Sequence, residues 1–362
     1  MSYDITIRGE TYPIHIGTTH EASLLEVIAK MHPAKIAIIT DKNVAKHWGE
    51  ELIASANKSG VPTELFSFSA GEKNKNQKTV TTLQHALLKK RYGRDTLIIA
   101  FGGGVVGDLA GFVAATYLRG VPYIHVPTTI LAMVDSSIGG KVGIDTKYGK
   151  NTVGAFYQPK AVIADLRFVT TQKKDHVING LLEAIKTFVT SDKQALELAE
   201  KIDVKNPGKD IGLLQQIVER SVRIKGDIVM RDETEQNERK VINFGHTIGH
   251  AVELLSKFKL MHGYCVGYGM LAEARIAEEM GILPTLDRVY LEGLMKQFGV
   301  DTKPLKKFPV AKILEATRAD KKTVAGVPQY ILLKEIGAVH TAADKYAHSV
   351  SDDIVSNVLK SM

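Results

Sequence analysis

The chain has 362 residues and a formal charge of +7, from 47 basic and 40 acidic side chains. With 44% hydrophobic and 24% charged residues it has the composition of a folded globular protein, which excludes a disordered or fibrous chain, and its length points to two domains. A single cysteine, Cys265, excludes an intrachain disulfide and a cysteine-only zinc site.

The first residues, MSYDITIRGE, are polar and alternating and lack a signal-peptide pattern. Asp4 to Ile16 reads as two strands around Gly9-Glu10, a hairpin. Lys35 to Thr40 (KIAIIT) is a buried strand ending at Asp41, and Glu64 to Ser69 is another short strand. Asn76 to Arg91 has helical periodicity. Thr96 to Phe101 (TLIIAF) enters Gly102-Gly103-Gly104, Val105 to Tyr117 continues as a helix, and Tyr123 to Val126 is the next strand. The apolar stretch 97–118 carries Asp108 and five glycines. A membrane-spanning helix needs about 20 nearly uncharged residues, so no membrane association is expected and the location is read as cytoplasmic. Strands alternating with helices of this length indicate βαβ units and a parallel sheet.

After about residue 172 the pattern changes. His176 to Val189, Ile211 to Val229, Phe244 to Ser256, Val266 to Met280 and Asp287 to Phe298 show apolar spacing of three and four, and strands nearly vanish until Tyr330 to Lys334. The expected architecture is a Rossmann-like α/β domain over 1–172 followed by a mostly helical domain over 173–362.

Three constellations carry chemistry. Gly102, Gly104 and Gly107 satisfy G-x-G-x-x-G between a strand and a helix, where glycines let amide groups and a helix N-terminus approach a pyrophosphate. No acidic residue follows the next strand, where Pro127-Thr128-Thr129 stands, so Asp41 is the ribose partner this reading selects. An acidic group there favours NAD over NADP. His246 and His250, four apart on a helix, share a face and can meet one ion. His262 and Glu183 supply further donors, with zinc as the default metal, and spacing alone does not choose the third and fourth ligands. Lys141 and Lys150 lie in glycine-rich turns suited to capturing phosphate or carboxylate, alongside Asp135, Asn151, Lys186, Lys225, Arg239 and Asn243. The basic residues are otherwise dispersed, without Arg/Lys runs or aromatic interleaving. The positive charge therefore points to an anionic small substrate or a merely solvated surface, not to nucleic acid.

GGGVVGDLAGFVAATYLRG, PTTILAMVDSSIGGKVGIDTKYGKN, VGAFYQP and KVINFGHTIGHAVE, in this order and spacing, closely resemble the 3-dehydroquinate synthase family of the shikimate pathway. The resemblance implies conversion of 3-deoxy-D-arabino-heptulosonate 7-phosphate to 3-dehydroquinate and phosphate, with one divalent metal (zinc or cobalt) and an NAD that ends unchanged. It implies Glu183, His246 and His262 as metal ligands, with His250 beside the site rather than on the ion. Asp135, Lys141, Asn151, Lys186, Lys225, Glu235, Arg239, Asn243 and His250 would serve substrate binding and catalysis. Arg119, from a partner subunit of a homodimer, and Lys321 would help with the phosphate. For NAD the matching positions are Asp41, Asn43, Glu72, Lys75, Gly103, Gly104, Val105, Asp108, Thr128, Thr129, Lys141, Lys150 and Thr171. The chain departs from the family's usual residues at Leu181-Leu182, Thr170-Thr171-Gln172 and Met133. Two other enzymes share the nucleotide and metal signals: an NAD-dependent polyol dehydrogenase and an aminocyclitol-type cyclase acting on glucose 6-phosphate. A nucleotide-sensing protein gives no reason for Glu183 beside two histidines.

Overall fold

The computed structural model of the protein describes residues 1–318 and 326–362; Lys321 lies outside the described residues. The chain forms two compact units, 1–173 with 214–226, and 174–213 with 227–362. A single cut after residue 172 would put 214–226 in the second unit. Instead these residues, within the helix Ile211–Arg231, group with the first: the Arg223 guanidinium lies over the Tyr3 ring, and a Cβ on Gly226 would stand 2.6 Å from that ring.

The first unit holds a seven-stranded sheet built from β1 (Ser2–Ile7), β2 (Glu10–Gly17), β3 (Lys35–Asp41), β4 (Thr63–Phe68), β5 (Thr96–Gly102) and β6 (Tyr123–Pro127), with a later strand Val162–Asp165. The hairpin β1–β2 is antiparallel and every other pairing is parallel. Alternation along the central strands sends side chains to two cores. Ile36, Ile38, Leu97, Ile99 and Phe101 pack on one face, and Ala37, Ile39, Ile98 and Ala100 on the other.

The strand order places β3 between β4 and β5, while the chain goes from β3 to β4 and then crosses back to β5. That reversal is the topological switch point of an open α/β sheet, where ligands bind at the carboxyl ends of the strands. Asp41 closes β3 and Gly102 closes β5, so the two sequence signals meet at that point.

Residues 141–156 form an antiparallel pair, Lys141–Thr146 with Gly149–Phe156, that the periodicity did not disclose. Lys141, Lys150 and Asn151 therefore sit on strands of a hairpin rather than in irregular glycine turns.

The second unit is helical, with one small pair, Leu333–Glu335 and Ala338–Val339. Of the strand expected over Tyr330 to Lys334, only the end is formed, within Leu333–Glu335, while Tyr330 makes an isolated bridge to His348. Three helices converge: Lys174–Ser191, His246–Leu255 and His262–Glu279. Glycines permit the approach. A Cβ on Gly269 would lie 1.8 Å from the Gly245 carbonyl oxygen, and one on Gly263 would lie 2.0 Å from that of Asn179. The third helix starts at His262, one turn before the expected Val266, and Asn179 Oδ1 accepts the Gly263 amide at 2.7 Å. Among the described residues no helix is long and apolar enough to cross a membrane.

Candidate active site

In the first unit, Gly103 precedes the helix Gly104–Thr116 and supplies no side-chain cap, which leaves the first amides of that helix for an anion. Gly103, Gly104 and Val105 are half-buried, while Gly102, Val106 and Gly107 are buried. A Cβ on Gly103 would lie 3.0 Å from Thr129, and one on Gly104 3.1 Å from Ser136 Oγ, so side chains would crowd the turn. Thr128 and Thr129 stand opposite. The Thr128 amide donates to the Gly102 carbonyl, and Thr129 Oγ1 accepts from Ala132. Asp41 caps the next helix by accepting from the Asn43 and Val44 amides at 2.8 and 3.1 Å. Thr171, exposed, accepts from Trp48 Nε1 at 2.9 Å.

Several charged residues of this unit compensate one another. Lys75 is buried and its Nζ meets Asp108 Oδ2 at 2.5 Å, Asn151 Oδ1, and Glu72 at 4.0 Å. Burial opposes its charge, but the Asp108 and Glu72 carboxylates outweigh it and raise the pKa of Lys75. Lys150 lies 3.6 Å from Glu72, and Lys225 donates to Asp135 Oδ1 at 2.5 Å and to its carbonyl at 2.7 Å. Asn151 adopts a left-handed φ of 51° and is held by its amide on Asp145 Oδ1 at 2.8 Å. Lys141 is exposed at the start of its strand. Arg119 is exposed on a kink in which Leu118 and Arg119 both have positive φ, 49° and 70°.

In the second unit, the ligand atoms of His246, His250 and His262 lie within 4.8 Å of one another. Glu183, buried on the helix Lys174–Ser191, has its two oxygens in different surroundings. Oε2 accepts from Lys186 Nζ at 2.6 Å, whereas Oε1 is buried with no hydrogen-bond partner and stands 3.6 Å from His262 Nε2. Two ligands bound at 2.0–2.1 Å to a tetrahedral ion are separated by about 3.4 Å. An orphaned buried carboxylate oxygen at this distance from an imidazole nitrogen suits a divalent cation. His246 Nδ1 lies 3.2 Å from the Phe244 carbonyl oxygen, a contact that directs Nε2 to the site.

Arg239, Asn243 and Glu235 gather in the same unit. Asn243 Nδ2 donates to Glu235, and the buried Arg239 donates to the Glu233 carbonyl. The sequence reading missed three residues of this half. Glu253 accepts from His262, Glu273 accepts the amide of Gly245 at 2.8 Å just ahead of His246, and Asn179 fixes Gly263. The only signal for Glu253 was its place seven residues after His246, on the same helix face.

Two family profiles match the chain: "3-dehydroquinate synthase N-terminal" over residues 65–179 and "3-dehydroquinate synthase C-terminal" over 180–323. A curated 3-dehydroquinate synthase of Symbiobacterium thermophilum is 38% identical over 348 residues, covering 92% of this chain and 94% of that protein. One from Nostoc punctiforme is 35% identical and covers 99% of both. The crystal structure of a 2-deoxy-scyllo-inosose synthase complexed with carbaglucose-6-phosphate, NAD+ and Co2+ has a TM-score of 0.90 at 26% identity, covering 100% of this chain and 99% of that one. With two profiles spanning 65–323 and relatives this similar along nearly the whole length, the chain belongs to the 3-dehydroquinate synthase family.

Proposed function

We propose that the protein is a phosphate-eliminating carbon–oxygen lyase of the shikimate pathway. It converts 3-deoxy-D-arabino-heptulosonate 7-phosphate to 3-dehydroquinate and phosphate. The observation that carries this reading is the orphaned Oε1 of Glu183 opposite His262 Nε2 in a chain of this family. Glu183, His246 and His262 hold the divalent metal. Glu183 is chosen over His250 as third ligand because a buried, unpartnered carboxylate oxygen needs a cation more than a half-buried imidazole does. Asp41, Gly103, Gly104, Val105, Thr128 and Thr129 hold NAD, with Lys75, Asp108, Glu72, Lys150, Asn43 and Thr171 around them. When bound, NAD supplies a hydride acceptor and donor, and the metal a Lewis acid for the substrate hydroxyls.

The protein's own groups position the substrate and stabilise charge. Lys141, Asn151, Lys186 and Lys225 contact the phosphate and carboxylate and oppose the negative charge that grows as phosphate departs. Arg239, Asn243, His250 and Glu235 line the substrate and orient its hydroxyls. The C–O bond breaks by β-elimination, with the phosphate's own oxygen taking the adjacent carbon's proton. Holding both ends of one molecule together then favours the aldol closure. A homodimer, to which Arg119 is offered in trans, is part of this reading; the exposed arginine on its left-handed kink supports it. A cytoplasmic setting fits the single buried thiol, Cys265.

The test is phosphate release from the heptulosonate phosphate with zinc and catalytic NAD, followed together with absorbance for NADH. The expected result is phosphate release without net NADH, stopped by a chelator. NADH accumulating on simple polyols would move the protein to the dehydrogenases, and turnover of glucose 6-phosphate alone to the aminocyclitol cyclases.

A further inference from the structure

Glu253 lies near the end of the helix that begins at His246, and its side chain is only 5% exposed. A carboxylate buried to this degree is costly unless something pairs with it. In the turns that follow the helix, Ser256 Oγ and the Phe258 amide donate to the backbone carbonyl of Glu253. The carboxylate is turned instead toward His262, with Oε2 3.1 Å from Nδ1.

That contact has one direction. An ionised carboxylate only accepts, so Nδ1 of His262 is the donor and Nε2 is left with its lone pair. Nε2 is also the nitrogen that stands 3.6 Å from the orphaned Glu183 Oε1. Two lone-pair atoms facing each other at this distance are suited to an ion. His246 receives a weaker version of the same support, since its Nδ1 meets a neutral carbonyl, that of Phe244, at 3.2 Å. The contact to His262 carries a formal charge and the one to His246 does not.

We propose that Glu253 is a positioning residue of the metal centre, which fixes the tautomer and ring orientation of His262 and strengthens it as a ligand. The inference rests on the ligand set Glu183, His246 and His262 proposed above. It is tested on the full-length protein stripped with a chelator, with zinc affinity read by competition against a chromogenic chelator. The visible bands of the cobalt-loaded protein report the ligand geometry. Glu253→Ala is expected to weaken zinc binding by about 10- to 100-fold and to shift the cobalt bands. Glu253→Gln, which keeps an acceptor but not the charge, is expected to fall between Ala and the parent. NAD affinity should be unchanged in both. If Glu253→Ala does not fold, the isosteric Gln variant carries the measurement. His262→Ala separates the two possible failures. Zinc affinity within twofold of the parent for the Glu253 variants, while His262→Ala loses the metal, overturns the role of Glu253. Unchanged zinc affinity in His262→Ala overturns the ligand set, and this inference with it.

Discussion

Lys186 was read from the sequence as a group lining the substrate, one of 47 basic residues, yet its ammonium is buried and bonded to Glu183 Oε2 at 2.6 Å. The only sequence hint of that bond was a spacing of three on one helix. The pair gives Lys186 a structural consequence that a surface lysine lacks. Removing one member of a buried ion pair leaves the other charged and unpaired, at about 3–5 kcal/mol. A metal ion on the same carboxylate, as proposed above, would relieve most of that penalty. Lys186→Met is therefore expected to lower the melting temperature of the chelated protein by several degrees. Zinc should restore more of it than it adds to the parent. Turnover should fall by about 100-fold or more with zinc bound, as for loss of a transition-state contact. Calorimetry with and without zinc checks the first expectation; an equal loss in both states would mean that Glu183 does not meet the metal.

At the scale of elements, the parallel sheet and most helices were legible because their apolar residues repeat at two or at three and four. The strand that ends at Asp41 and the one that enters the Gly102 turn were readable for the same reason. The hairpin 141–156 was not: its stretch GGKVGIDTKYGKN is too rich in glycine and charge to show alternation. The start of the His262 helix was hidden by Gly263, a poor helix former that close approach to Asn179 demands. Contacts such as Glu253 to His262 were illegible because they depend on how two helices cross, and periodicity does not encode that. The crossing itself is testable. Gly269→Ala puts a methyl group 1.8 Å from the Gly245 carbonyl oxygen, a backbone atom that cannot rotate aside. The expected cost is about 3 kcal/mol, with zinc affinity down on the order of 10-fold as the two histidine helices part. Gly293→Ala is the matched control, since its Cβ would meet nothing within 4 Å on the helix Thr285–Gln297. It should stabilise the protein by about 0.5–1 kcal/mol. Equal effects at the two positions in urea melts would discredit the contact.

Across the whole molecule, the division of labour follows the division of the chain. Every described residue proposed for NAD lies in the unit 1–173 with 214–226, and every proposed metal ligand in the unit 174–213 with 227–362. Of the residues proposed to meet the substrate, Asp135, Lys141, Asn151 and Lys225 belong to the first unit, and Lys186, Arg239, Asn243 and His250 to the second. The two cofactors do not share a protein ligand in this assignment. Removing the metal should therefore abolish phosphate release while leaving the nucleotide residues intact. A chelated sample is expected to bind NAD with a dissociation constant within about threefold of the zinc-loaded protein, a difference of about 0.6 kcal/mol or less. Glu183→Gln, which weakens the metal site without a chelator present, should behave the same way in calorimetric titration with NAD. An NAD affinity that collapses by tenfold or more on chelation would show that the nucleotide is held through the metal half, and the assignment of the glycine turn as the main NAD site would fall.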